Sequence, residues 1–190
     1  MQSILSTQCE AGLCYNLYMF LSPTHLVEKL NINKGESVID FGAGSGAYVY
    51  PALKAVGESG KVIAVDIDSE MLNTISNTVM ISGAANSFNI LTADLERKIL
   101  LPDYSADYAI LANTFFHIKN KENLLREIKR ILSPTGLFLF VEWKIDSKFG
   151  PSKDMRIKEE DSKDLLTKTG FKIIENVPAG DYHYGYILKV

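Results

Sequence analysis

Short runs of β-branched and aromatic residues alternate along this chain with stretches whose apolar positions recur every three or four residues. Ser37-Val38-Ile39-Asp40-Phe41 reads as a buried strand that runs into a glycine-rich turn, Gly42-Ala43-Gly44-Ser45-Gly46. A helix over about 47–56 follows, with Pro51 early enough to be tolerated and Gly57 as a left-handed cap. The cycle then repeats. Residues 61–65 form a β-branched run closing on Asp66, and Ser69 caps a helix to about Ile81. Residues 88–91, 107–111 and 137–141 supply a third, fourth and fifth strand. Between the last two lies a helix over about 122–132, stopped by Ser133-Pro134. Ahead of the first strand, Ser22-Pro23 reads as the N-cap and first position of a short helix through Leu30. Strands alternating with helices predict right-handed βαβ units and a doubly wound parallel sheet, an α/β fold.

The C-terminal end breaks the rhythm. After a helix over 159–169, stopped at Gly170, come two strand patterns, 171–177 and 182–190, separated only by Pro178-Ala179-Gly180-Asp181. A parallel crossover needs about a dozen residues or more, so these two strands pair antiparallel. With no linker and no repeat, one domain over 1–190 is expected, as an N-terminal helical segment (1–35) and an α/β core (36–190). The apolar residues of 8–21 predict a helix that acts as a lid on the site or packs permanently on the sheet edge.

Composition narrows the partners. The chain of 190 residues is 46% apolar and 23% charged, ordinary for a globular domain. A net charge of −3 disfavours nucleic acid, whose binders carry a basic excess. Cys9 and Cys14 are too few for a disulfide scaffold or a zinc site, so no metal is expected. No apolar run reaches the roughly 18 residues of a membrane span. No Lys or Arg precedes Lys29, which argues against a secretory signal and for a cytoplasmic, reduced protein.

The glycine turn is the first candidate for chemistry. Glycines at 42, 44 and 46 between a strand and a helix let backbone approach a ligand, and with Ala47 they also satisfy the loose dinucleotide pattern G-x-G-x-x-A. Asp66 follows Gly42 by 24 residues, close to the roughly 20 expected of a carboxylate that accepts ribose hydroxyls. Asp68 and Ser69 are better placed than Asp66 to cap the next helix. Two further acids separate the cofactors. Asp40, just before the glycines, is awkward for a pyrophosphate but suits a ligand carrying an ammonium and a sulfonium. Asp94, after the third strand, is placed to accept from an adenine amine. Each is otherwise a solvated loop acid, yet both fall at strand C-termini, where α/β sites form.

The segment Val38-Ile39-Asp40-Phe41-Gly42-Ala43-Gly44-Ser45-Gly46 resembles the first motif of the class I S-adenosylmethionine-dependent methyltransferases. Val62-Ile63-Ala64-Val65-Asp66-Ile67-Asp68 is similar to the second, and Thr92-Ala93-Asp94-Leu95 to the adenine-contacting one. The resemblance implies a mostly parallel seven-stranded sheet with an antiparallel last strand and S-adenosylmethionine as cofactor. It implies that Gly42, Ala43, Gly44 and Gly46 form the turn around the methionine portion, with Asp40 supporting it through water. It further implies Asp66 on the ribose, Asp94 on the adenine amine, Ile67 and Leu95 sandwiching the adenine, and Asn113 at the cofactor. Glu142-Trp143-Lys144, Gly150-Pro151 and Tyr182-His183-Tyr184 are similar to a small, uncapped subgroup of that family. The stretch from Glu96 to Pro102 is longer than the family's usual passage into the fourth strand.

On the acceptor side, Asn113, Phe116 and His117 follow the fourth strand, and Glu142 and Trp143 follow the fifth. His117 is a candidate base or a capping and packing residue; Glu142 orients an acceptor or bonds backbone in its loop. His183, on an alternating strand pattern, reads as structural. With no inserted cap, the acceptor site is shallow, closed by the N-terminal helix, or completed by a second subunit as a homodimer. The expected activity is methyl transfer to a small-molecule acceptor. A non-catalytic S-adenosylmethionine-binding module and an NAD-dependent oxidoreductase are the alternatives.

Overall fold

The computed structural model describes residues 21–190. Helix α1 (Pro23–Lys29) opens it, with Ser22 accepting from the His25 amide at its N-terminus. Then follow β1 (Ser37–Phe41), α2 (Val49–Val56), β2 (Lys61–Asp66), α3 (Ser69–Ile81), β3 (Phe88–Thr92) and β4 (Ala106–Ala112). After α4 (Lys121–Ile131) come β5 (Leu132–Trp143), α5 (Glu159–Lys168), β6 (Lys172–Asn176) and β7 (His183–Lys189). The strands form one seven-stranded sheet in the order β3-β2-β1-β4-β5-β7-β6. All neighbours are parallel except β7, which runs against both β5 and β6. The doubly wound sheet with a reversed last strand is thus present, and the four-residue connection 178–181 could close only an antiparallel pair.

Alternation along the central strands supplies a core on each face. On one face Val38, Ala64, Ile110 and Leu139 pack with Leu26, Val49, Leu53, Leu72 and Ile75 of α1, α2 and α3. On the other, Ile39, Phe41, Val65, Leu111 and Phe140 pack with Leu124, Leu125, Ile128 and Leu166 of α4 and α5. Burial on both faces explains why β1, β2 and β4 read as near-continuous apolar runs.

Three local expectations are corrected. Helix α2 begins at Val49, since the glycine turn continues through the buried Tyr48. The cap of α3 is Asp68, whose Oδ1 accepts from the amides of Glu70 and Met71; Ser69 is already the first helical residue, one position too late to cap. Strand β5 starts at Leu132, directly after α4, so Ser133-Pro134 lies within the strand. The register shift between Ala106 and Tyr108 accommodates the residue that cannot donate to a ladder.

The long passage before β4 is held by two side chains of α4, Arg130 and Glu127. Arg130 donates to the carbonyls of Ile99 and Leu101 and pairs with Glu127 and Asp103, while Glu127 accepts from the Ile99 amide. Ile99 is fully buried beneath this clamp. Arg130→Ala is expected to destabilise the fold by about 2 kcal/mol, because two carbonyls and a part-buried carboxylate lose their partner together. Urea unfolding checks it through a lower midpoint at unchanged slope.

Candidate functional site

The carboxyl ends of β1, β2 and β4 meet at the point where strand order reverses, and there a cleft of about 640 Å³ opens. Its floor is the glycine turn. Gly42, Gly44 and Gly46 have φ of 76°, 50° and 80°, the left-handed region where a Cβ is strained. At Gly42 a Cβ would come within 2.4 Å of the Thr114 hydroxyl, and at Gly46 it would press on Ile75. At Gly44 none of the described residues lies within 4 Å, so this glycine serves backbone shape and an open approach from the cleft.

Asp66 locks that turn to β2. Its Oδ2 accepts from the Gly44 amide at 2.8 Å and its Oδ1 from the Asp68 amide at 3.0 Å. Each carboxylate oxygen can accept more than one hydrogen bond, so capacity remains for ligand hydroxyls. Beside it Ile67 stands 69% exposed, an apolar side chain open at the cleft, and Leu95 is a buried lining residue. Asp94 and Glu96 also line the cleft; Asp94 accepts from the Glu96 amide and pairs with the exposed Arg97.

Asp40 is 2% exposed, on the α1–α3 face of β1 with Val38, and is not itself a lining residue. Burial, with the like charge of Asp66 adding to it, pushes its carboxyl up to about 7. Asp40 Oδ2, the Tyr48 hydroxyl and Asn113 Oδ1 are buried without a hydrogen-bond partner among the described residues. Tyr48 and Asn113 line the cleft, and the Asp40 carboxylate acts on the Tyr48 hydroxyl. Unpaired buried polar atoms are costly, and three at one strand-end cleft, two of them acceptor oxygens and one a hydroxyl, mark a place suited to partners that come from a ligand or its waters. A ligand with an ammonium, a sulfonium and ribose hydroxyls fits this donor-hungry, acidic surface.

The far wall is the segment after β4. Asn113 holds φ of 54°, and Thr114 donates to the carbonyls of Gly42 and Ala112, filling the space that Gly42 vacates. A 3-10 turn, Phe115–His117, buries Phe115 and leaves His117 exposed in the cleft lining, its ring 3.9 Å from that of Phe116. Asn120, not His117, caps α4.

Glu142 stands apart from this group. It is fully buried on the α4–α5 face of β5, in step with Phe138 and Phe140, and does not line the cleft. Its Oε2 accepts from the Phe116 amide at 3.1 Å and its Oε1 from the Trp143 amide at 2.8 Å. The expectation that it contacts an acceptor is therefore corrected to backbone bonding, since the strand's two-residue period turns it away from the ligand. His183 is buried against Trp143, with burial holding its imidazole down at about 4, which makes it a neutral packing group. Residues 8–20 of the expected lid helix, with both cysteines, lie outside the described residues; Leu21 lines the cleft. Gly42, Ala43, Gly44, Asp66, Ile67, Asp94, Leu95, Asn113 and His117 thus share one cleft, with Gly46 packed behind it. Tyr48 and Thr114 were not singled out by sequence. The only signal for Thr114 was its neighbour Asn113, and Tyr48 carried none.

Among the described residues no helix is long and apolar enough to cross a membrane, and no cluster of potential metal ligands occurs.

Comparison with known proteins bears on the family and the fold. Residues 39–140 match the family model described as a methyltransferase domain. The chain is 31% identical over 117 residues to a ubiquinone/menaquinone biosynthesis C-methyltransferase of Hahella chejuensis, covering 62% of this chain and 47% of that protein. It is 29% identical over 160 residues to the enzyme of the same name from Pseudomonas paraeruginosa, covering 83% and 59%. The chain spans about half the length of these curated relatives. Among solved structures, a SAM-dependent methyltransferase from Aquifex aeolicus superposes with a TM-score of 0.82 at 29% identity, over 92% of this chain and 93% of that one.

Proposed function

The chain belongs to the methyltransferase-domain family of S-adenosylmethionine-dependent enzymes, and from that membership we propose that it transfers a methyl group to an uncharged small-molecule acceptor. The carrying observation is the chemistry of the cleft. Asp66, Asp94 and Glu96 line it, Asp40 is buried beside it, and among the described residues no Lys or Arg lines it. Such a surface favours a cationic cofactor and repels a pyrophosphate, which supports S-adenosylmethionine over a nicotinamide dinucleotide. It equally disfavours a carboxylate or phosphate on the acceptor.

Bound S-adenosylmethionine would supply an already activated methyl group on its sulfonium. The chain's own part is then orientation. Asp66 would accept the ribose hydroxyls, Asp94 the adenine amine, and Ile67 and Leu95 would cover the adenine faces. Asp40, Tyr48 and Asn113 would take up the donors of the methionine end, directly or through water. Holding nucleophile and methyl in line is worth roughly 7–11 kcal/mol in favourable cases. His117, exposed on the wall, would be the base where the acceptor must lose a proton. The chain's similarity to C-methyltransferases named for quinone biosynthesis supports an uncharged, apolar acceptor.

A survey of cell extract with methyl-labelled S-adenosylmethionine tests this reading. Label is expected in the neutral, organic-extractable small-molecule fraction. Label confined to protein, nucleic acid or anionic metabolites would overturn the acceptor class. No labelled acceptor at high protein concentration would favour a binding module.

A further inference from the structure

We propose that Glu142, outside the cleft, is a positioning residue whose carboxylate holds the Phe115–His117 turn and so sets the far wall of the cofactor cleft. The inference rests on the proposed function only in taking that cleft as the cofactor site. The segment from Ala112 to Ile118 supplies Ala112, Asn113, Thr114, His117 and Ile118 to the lining. The Asn113 amide continues the ladder to the Val141 carbonyl, Lys121 donates to the Ile118 carbonyl, and two ties involve the turn between them. Thr114 bonds the Gly42 carbonyl, and the Phe116 amide bonds Glu142 on the opposite face of the sheet.

The second tie demands two acceptors. Glu142 Oε2 serves Phe116, Oε1 serves Trp143, and the Phe115 backbone lies within reach as well. A carboxylate meets both amides with acceptor oxygens; a carboxamide offers one oxygen and one donor nitrogen, which opposes an N–H. A protonated carboxyl is likewise a poorer partner for two amides. A residue that only filled space at this end of β5 would need no charge, and a buried charge is costly to keep.

Among the described residues the groups facing Glu142 are few. Lys121 of α4 is the cation opposite; it also donates to the Ile118 carbonyl and sits over the Phe115 ring, and Glu96 shares its charge. Tyr184 of β7, bonded to Ser162 of α5, faces the carboxylate from the other side, its phenol held neutral by burial. Phe140, of the same strand, packs edge-on against Phe115. Burial outweighs Lys121 and the backbone bonds and pushes Glu142 up to about 7. The hold of the turn therefore weakens as pH falls through neutrality.

The test uses the whole chain and two readouts. In wild type, the amide proton signals of Phe116 and Trp143 should titrate together between pH 5.5 and 8.5. In Glu142→Gln they should stay near the low-pH wild-type positions throughout. Calorimetry with S-adenosylhomocysteine should show wild type binding about fivefold tighter than Glu142→Gln at pH 8.5, the worth of roughly one hydrogen bond. That ratio should shrink to about one at pH 5.5, where both side chains are neutral. The ratio cancels any pH dependence arising elsewhere in the cleft. Amides that do not titrate, or a ratio that is the same at both pH values, would overturn the proposal. If wild type failed to bind S-adenosylhomocysteine, the cofactor reading would fall. The amide titration would then decide the hold on the turn by itself, because it needs no ligand.

Discussion

Asp66→Ala is expected to weaken S-adenosylhomocysteine binding by about 100-fold or more, with a much smaller loss, about tenfold, for Asp94→Ala. Two charge-assisted bonds to ribose hydroxyls are removed in the first case and one to an amine in the second. Asp66 has a further duty. Its oxygens hold the Gly44 and Asp68 amides, so alanine also frees the turn that shapes the cleft floor. Among the described residues Asp94 bonds only its own loop, Arg97 included, and its loss leaves the glycine turn intact. Calorimetric titration of both variants, with melting curves to confirm folding, checks the order. Equal affinities would contradict the two roles.

Asp40→Asn should raise stability and lower cofactor affinity at once. The carboxyl is pushed up to about 7 in the folded protein, chiefly by burial, from 3.8. Between those values the folded state holds a proton that the unfolded chain has lost, so stability falls as pH rises through this window and levels off above 7. Asparagine escapes the penalty. The variant is expected to exceed wild type by about 2–4 kcal/mol at pH 8 and to match it near pH 4, measured by urea unfolding. Binding runs the other way. An ammonium brought near Asp40 favours its ionised form, so below pH 7 the wild type must release a proton to bind. Its affinity should fall by up to about tenfold per pH unit from 7 to 5.5, while Asp40→Asn binds weakly and without that slope. A stabilising substitution that damages binding is the mark of a group kept for function.

Much of this fold could be read from the chain, and the exceptions have physical causes. Strands β1 and β2 are β-branched runs ended by a Gly or an Asp, and their limits follow from those residues alone. Strand β5 was underestimated because Pro134 ordinarily ends structure, whereas here a register shift with β4 lets the strand run through it. The cap of α3 fell to Asp68 and not Ser69, a difference set by which side chain faces two amides.

The glycine turn and the acids that share its cleft could be picked out because they are tied to local sequence: glycines where φ must be positive, and acids where strands end. The acceptor side could not. Glu142 and Asp40 are both acids at strand ends, yet they lie on opposite faces of the sheet, and the two-residue period does not say which face meets a ligand. Tyr48 and Thr114 owe their places to tertiary packing, one with an unpaired buried hydroxyl and the other in the gap opposite Gly42.

Calorimetric titration of the wild-type protein with S-adenosylhomocysteine and, separately, with NADH bears most directly on the central claim. Saturable binding of S-adenosylhomocysteine at one site per chain, with no heat from NADH, is the predicted result. Tight binding of NADH with no response to S-adenosylhomocysteine would contradict it.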